Sequence, residues 1–96
     1  MGYTMLHEER TQLTEKTIDL KRAIDSLREE LEAIDWYNQR ADATKNEELK
    51  KILLHNAKEE KEHAAMLLEW IRKNDSQVED MLKKYLFKDH LVKTEE

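Results

Sequence analysis

The 96-residue chain has no cysteine and no proline, and its single glycine is Gly2. The absence of cysteine excludes a disulfide scaffold, a thiolate zinc ribbon and a thiol nucleophile. Without proline or an internal glycine there is little from which to build tight turns. No long hydrophobic run is present: the longest, Ala64 to Leu68, falls far below the ~20 residues that cross a bilayer. The N-terminus shows no basic segment followed by an apolar one, the pattern of a secretory leader. Positive charge is not in surplus either. With 22 acidic against 17 basic residues the formal net charge is -5, the wrong sign for a protein that neutralises phosphates. A soluble cytoplasmic protein is expected, with neither a nucleic acid nor a membrane as partner.

What the chain does have is Glu, Lys, Leu and Ala in abundance, with 41% charged residues, the material of long solvated helices. The expected fold class is all-α, in a single domain over residues 1–96 with its core at about 14–87 and a charged tail at 88–96. Polar clusters mark the breaks. Thr44-Lys45-Asn46-Glu47 and Ser76-Gln77-Val78-Glu79 both fit the Ser/Thr-x-x-Glu capping box. They divide the chain into a long helix that starts between Leu6 and Thr14 and ends near Ala41, a second over about 47–73, and a short C-terminal one over about 77–87.

An advance of about 100° per residue lays the apolar side chains in stripes. On the first helix Leu20, Ile24, Leu27, Leu31 and Ile34 follow the four-three spacing of a bundle. On the second, Leu49, Ile52, Leu53, Asn56, Leu67, Trp70 and Ile71 share a face, so the two are expected to pack as an antiparallel hairpin. Two long helices and a short one cannot enclose a core, because each buries one stripe and leaves its flanks wet. The sequence therefore predicts an obligate homo-oligomer, most simply two hairpins that close a four-helix bundle about a two-fold axis.

The second stripe is interrupted by Glu60 and His63, both within roughly 30° of its centre. A carboxylate in a bundle core is costly unless it is paired, hydrogen-bonded or metal-bound. Glu60-Lys61-Glu62-His63 is a Glu-x-x-His unit, which sets a carboxylate oxygen and an imidazole nitrogen on adjacent turns of one face. That donor pair suits Fe(II), Mn(II) or Zn(II). Glu30 lies on the edge of the first stripe, with Tyr37 two turns along. A ferritin-like di-iron centre takes a Glu from each of two helices and a Glu-x-x-His from each of the other two. This chain has half of that set, and a symmetric dimer would supply the whole. The same pattern also suits solvated carboxylates that make exposed ion pairs, in which case the chain is a helical interaction module.

Trp36 lies nearly opposite the first stripe, flanked on that side by Glu29 and Glu32. A large exposed aromatic between acids suggests a second contact surface, where carboxylates from apposed subunits would gather hard cations such as calcium. His7, His55 and His90 fall off the stripes and read as surface histidines.

The run Glu29-Glu30-Leu31-Glu32-Ala33-Ile34-Asp35-Trp36-Tyr37-Asn38-Gln39-Arg40 is followed by His55-Asn56, Glu59-Glu60-Lys61-Glu62-His63-Ala64-Ala65-Met66, Leu68-Glu69-Trp70 and Tyr85-Leu86-Phe87. This combination resembles the encapsulated ferritin family, the small ferritin-like cargo proteins of encapsulin nanocompartments, over roughly Thr17 to Phe87. The resemblance implies a dimer that rebuilds a ferritin-like ferroxidase centre at its interface, and dimers assembled into an open ring. It implies iron ligands at Glu30, Glu60 and His63, contributed by both subunits, with Tyr37 beside the centre in the catalytic set. It implies a more exposed metal site at Glu29 and Glu32 that gathers ions on their way in, with Trp36 nearby. Members oxidise Fe(II) with dioxygen and pass Fe(III) to the surrounding shell. The family's short apolar, Gly-containing docking peptide has no counterpart in Leu91-Val92-Lys93-Thr94-Glu95-Glu96, so the encapsulin shell as a partner rests on the resemblance alone.

The expectation is thus a ferroxidase with an inter-subunit di-iron centre, serving iron storage or detoxification inside an encapsulin nanocompartment in the cytoplasm. Calcium, manganese and zinc are the other ions these donors accept in vitro. The alternatives are a non-enzymatic helical adaptor and a rubrerythrin-like di-metal peroxidase, which uses the same ligands.

Overall fold

The computed structural model describes residues 5–94. After a short 3-10 turn at Arg10–Gln12 come three α-helices: α1 at Glu15–Ala43, α2 at Glu47–Asn74 and α3 at Ser76–Tyr85. Among the described residues there is no strand, and the fold is all-α as expected. The first two helices form an antiparallel hairpin, and α3 packs on α2. No helix among the described residues is long and apolar enough to cross a membrane.

Each helix starts on a side chain that accepts its free amides. Thr14 Oγ1 accepts from Thr17 N at 3.2 Å, and Asn46 Oδ1 accepts from Leu49 N at 2.8 Å. Asp75 Oδ1 accepts from both Gln77 N and Val78 N, at 3.0 and 3.1 Å. The two capping boxes read from the sequence are therefore displaced. Thr44 closes α1 by donating its backbone N–H to Arg40 O, and Asn46 caps α2 two residues later. Asp75 takes the cap of α3 from Ser76 because a carboxylate accepts two amides at once and suits the positive end of a helix. Asn46→Ala and Asp75→Ala are each expected to cost about 1 kcal/mol, seen as a lower urea midpoint at unchanged slope. An unmoved midpoint would show that these caps are idle.

The seam of the hairpin keeps only part of the expected apolar stripes. The buried residues are Ile18, Ala23 and Ala41 on α1 and Ala57, Ala64 and Ile71 on α2. With half-buried neighbours they make two four-three runs. One is Ala23, Leu27, Glu30, Ile34, Tyr37 and Ala41, and the other is Leu53, Ala57, Glu60, Ala64, Leu67 and Ile71. Alanine at four of the six buried positions lets the two backbones approach closely. The larger apolar residues then fall on the flanks and stay open to water: Ile24 is 39% exposed, Leu31 55%, Leu49 45%, Ile52 52% and Trp70 39%. In antiparallel helices a turn of the same sense away from the seam leads to the same face. Ile24 and Leu31 therefore lie on one face of the hairpin, and Leu49, Ile52, Met66 and Trp70 on the other. A single chain covers neither.

α3 has no buried residue. A helix of this length does not persist alone in water, so its contact with α2 has to hold it. Arg72 supplies that contact: its guanidinium bonds Glu69 one turn back at 2.6 and 2.7 Å and also bonds Glu79 of α3. The hydrogen bond from Arg72 holds the Glu69 carboxyl below the usual carboxylate range, so the carboxylate stays charged into the acid range.

The end of α3 is unusual. Leu86 N donates to Leu82 O, and the next residue, Phe87, adopts φ 58° with its side chain wholly exposed. A residue with a Cβ in that left-handed region costs about 1–2 kcal/mol, and glycine is its usual occupant after a helix. Residues 88–94 are exposed and carry no helix or strand. The ends of the expected domain, residues 1–4 and 95–96, lie outside the described residues.

Candidate metal centre

Two heptad seams and the flank beside them bring together three side chains that could hold a metal ion. Glu30 sits between Leu27 and Ile34 in mid-α1, and Glu60 between Ala57 and Ala64 in mid-α2. His63 lies one turn on from Glu60, turned toward the flank. Its Nδ1 is 3.5 Å from Glu30 Oε2 and 3.7 Å from Glu60 Oε2. One donor atom from each residue falls within 4.8 Å of the others, and among the described residues this is the one group of three or more His, Cys, Asp or Glu side chains that converges in this way.

The separations fit a bound ion better than a closed hydrogen-bond network. Ligands about 2.1 Å from one ion stand about 3.0 Å apart at octahedral angles and about 3.4 Å apart at tetrahedral ones. The observed spacings lie close to that range and beyond ordinary charged hydrogen bonds. Glu30 Oε2 is buried and has no hydrogen-bond partner. Most buried polar atoms are satisfied, and an orphan carboxylate oxygen calls for a cation. The carboxylate side chains are 22% and 23% exposed, whereas His63 is 47% exposed. The three donors form an open site: they close one side of an ion and leave the other for further ligands.

The structure brings together Glu30, Glu60 and His63 and leaves the other expected site residues apart. Tyr37 is half-buried on the seam one heptad beyond Glu30. Glu29 is exposed and Glu32 half-buried, and neither joins the converging group. Trp36 is 47% exposed. His7, His55 and His90 are all exposed. Arg40 was not singled out by the sequence reading. Its guanidinium lies over two rings, 5.8 Å from the centroid of Trp36 and 5.7 Å from that of Tyr37. The spacing of four and three residues was the signal that could have found it.

Several known proteins are similar to this chain. The family model described as EncFtn-like matches residues 5–89. An encapsulated ferritin-like protein of Rhodospirillum rubrum is 56% identical over 81 residues, covering 84% of this chain and 58% of that protein. A ferritin-like protein of Thermotoga maritima is 53% identical over 83 residues, covering 86% of this chain and 73% of that one. An encapsulin nanocompartment cargo protein of Myxococcus xanthus, EncC, is 45% identical over 58 residues, covering 59% of this chain and 45% of that one. The crystal structure of a protein from Nitrosomonas europaea superposes with a TM-score of 0.86 at 57% identity, covering 90% of this chain and 94% of that one. The chain spans only part of the curated relatives, 58% of the Rhodospirillum rubrum protein. A match over nearly the whole chain, on the same helical hairpin, places it in the EncFtn-like family, the encapsulated ferritins.

Proposed function

We propose that this protein is a ferroxidase in which two copies join through the face that carries His63, so that two Fe(II) ions bind between them and are oxidised by dioxygen. The convergence of Glu30, Glu60 and His63 around a buried carboxylate oxygen without a hydrogen-bond partner carries this reading. Each chain offers half a ligand set, and the exposed imidazole lies on the face where a second copy completes it. A dimer would gather four carboxylates, two from each chain, and such a cluster repels itself until cations enter. Two Fe(II) ions balance those four charges.

Iron is the substrate. Glu30 and Glu60 hold it by hard oxygen donors, and His63 adds a neutral nitrogen. Two Fe(II) ions supply two electrons, which with two protons from solvent take dioxygen to hydrogen peroxide; four Fe(II) ions take it to water. Tyr37, under the Arg40 guanidinium, lines the centre once the dimer forms. Glu29 and Glu32 gather incoming ions beside Trp36. The Myxococcus xanthus relative is an encapsulin cargo protein. The same association with a shell is proposed here, where the ferric product is received.

Adding Fe(II) in air to metal-free protein tests the reading. Ferric absorbance is expected to rise quickly and to break near one iron per chain. Oxidation no faster than in buffer would leave a helical interaction module instead, and faster turnover of hydrogen peroxide than of dioxygen would favour a peroxidase with the same ligands.

A further inference from the structure

Four of the chain's five arginines pair with a carboxylate: Arg10 with Glu15, Arg22 with Asp19, Arg28 with Asp25, and Arg72 with Glu69 and Glu79. Arg40 does not. Among the described residues it makes no ion pair, although the chain holds 22 acidic residues. Its guanidinium lies instead 5.8 Å from the ring centroid of Trp36 and 5.7 Å from that of Tyr37. Both distances fall within the ~6 Å over which a ring face attracts a cation. The sequence leaves it no other choice on α1: two aromatics stand three and four residues back, Ala43 and Thr44 three and four residues on, and none of them is acidic.

The contact is built on fixed backbone and joins two surfaces. Arg40 O accepts the closing hydrogen bond of α1 from Thr44 N at 3.0 Å, which anchors the base of the side chain. At about 100° per residue Arg40 falls between the rings, about 40° from Trp36 and about 60° from Tyr37, so one planar fork reaches both. Trp36 is exposed on the outer surface, one turn from the half-buried Glu32. Tyr37 is half-buried on the seam one heptad beyond Glu30, and helical side chains lean toward the helix N-terminus, the direction of Glu30.

We propose that Arg40 is a positioning residue, which clamps the ring of Tyr37 against that of Trp36 and so holds the Tyr37 hydroxyl in place for iron oxidation. This rests on the ferroxidase reading, in which Tyr37 lines the centre. Arg40 lies ten residues beyond Glu30, about 15 Å of helix, too far to hold the ion itself. It therefore acts on turnover and not on iron binding. Without it the Tyr37 side chain is free to leave its rotamer, and the share of chains with the hydroxyl in place falls. An exposed cation over one ring shifts such a population by about two- to fivefold, and here one cation holds two rings. Lysine keeps the charge but loses the flat fork that spans both.

Stopped-flow Fe(II) oxidation by the full chain compares the wild type with Arg40→Gln, Arg40→Lys, Tyr37→Phe and the double variant Arg40→Gln/Tyr37→Phe. Arg40→Gln is expected to lower kcat about fivefold or more, while KM for Fe(II) and the break near one iron per chain stay in place. Arg40→Lys should fall between it and the wild type. Because Arg40 acts through the Tyr37 hydroxyl, the double variant should turn over no more slowly than Tyr37→Phe alone, whereas a residue that only supports the helix would slow both backgrounds alike. In metal-free protein the indole N–H resonance of Trp36, identified by its loss in Trp36→Phe, is expected to shift in Arg40→Gln at unchanged circular dichroism. The proposal is overturned if that resonance stays put, if Arg40→Gln or Tyr37→Phe turns over like the wild type, or if Arg40→Gln slows Tyr37→Phe as much as it slows the wild type. Failure of the ferroxidase reading would show differently, as wild-type oxidation no faster than in buffer, and would remove this inference with it.

Discussion

Replacing His63 by alanine is expected to slow Fe(II) oxidation by at least about 100-fold, because loss of a direct ligand costs more than the roughly 10–100-fold seen for residues that only orient ligands. Each chain offers three donors, so losing one removes a third of its share of a shared site. Glu30→Ala and Glu60→Ala should fall as far. The three act as a unit, so Glu60→Ala combined with His63→Ala is expected to lose little more than either change alone. Stopped-flow ferric absorbance at matched iron and protein checks this. Losses that multiply in the double variant would mean that the two residues act at separate places. Unchanged rates in all the single variants would remove the assignment.

The second large effect has opposite signs with and without metal. Glu30 keeps a buried oxygen without a hydrogen bond in the heart of the hairpin seam, with only the half-exposed His63 imidazole near it. An unsatisfied buried group costs about 1–3 kcal/mol, and Glu30→Met replaces it with an apolar chain of similar length. The metal-free variant is therefore expected to be more stable than the wild type, with a melting temperature higher by about 4–8 °C per kcal/mol for a chain of this size. Saturating Fe(II) without oxygen should reverse the order. The wild type gains about 2.7 kcal/mol at a hundredfold excess over the dissociation constant, and the variant, having lost a ligand, gains little. Scanning calorimetry of both proteins in both states gives the four values. A variant less stable than the wild type in the absence of metal would show that Glu30 is satisfied by the protein itself.

The fold class, the number of helices and their approximate ends were legible in a sequence without proline or internal glycine, since its polar clusters are the only places to turn. The caps moved by one or two residues because Thr44, Asn46, Asp75 and Ser76 are all competent, and only backbone geometry decides among them. The seam was misread for a clearer reason. Hydropathy ranks leucine above alanine, so Leu20 to Ile34 looked like the contact, whereas two helices come closest where side chains are smallest. Ala23, Ala41, Ala57 and Ala64 share the seam with Leu27, Ile34, Leu53, Leu67 and Ile71, while Ile24, Leu31, Leu49 and Ile52 of the expected stripes became outer surface.

The candidate site was legible as an interruption, with Glu60 and His63 where apolar residues belonged. Their convergence with Glu30 was expected only from the ferritin-like ligand set and the family resemblance, because no spacing within one helix reports the register of another. Phe87 gave no signal at all. Nothing in its sequence context marks a left-handed residue when glycine is not used, and only the backbone reveals it.

Whether one chain carries half of a metal site is tested most directly by native mass spectrometry of the metal-free protein titrated with Fe(II) in the absence of oxygen. The expected spectra show dimeric units gaining two irons together, no iron on monomers, and no iron-loaded dimer in Glu60→Gln. Iron bound singly to monomers, or wild-type assemblies that stay the same throughout and take up no iron, would contradict a centre shared between two chains.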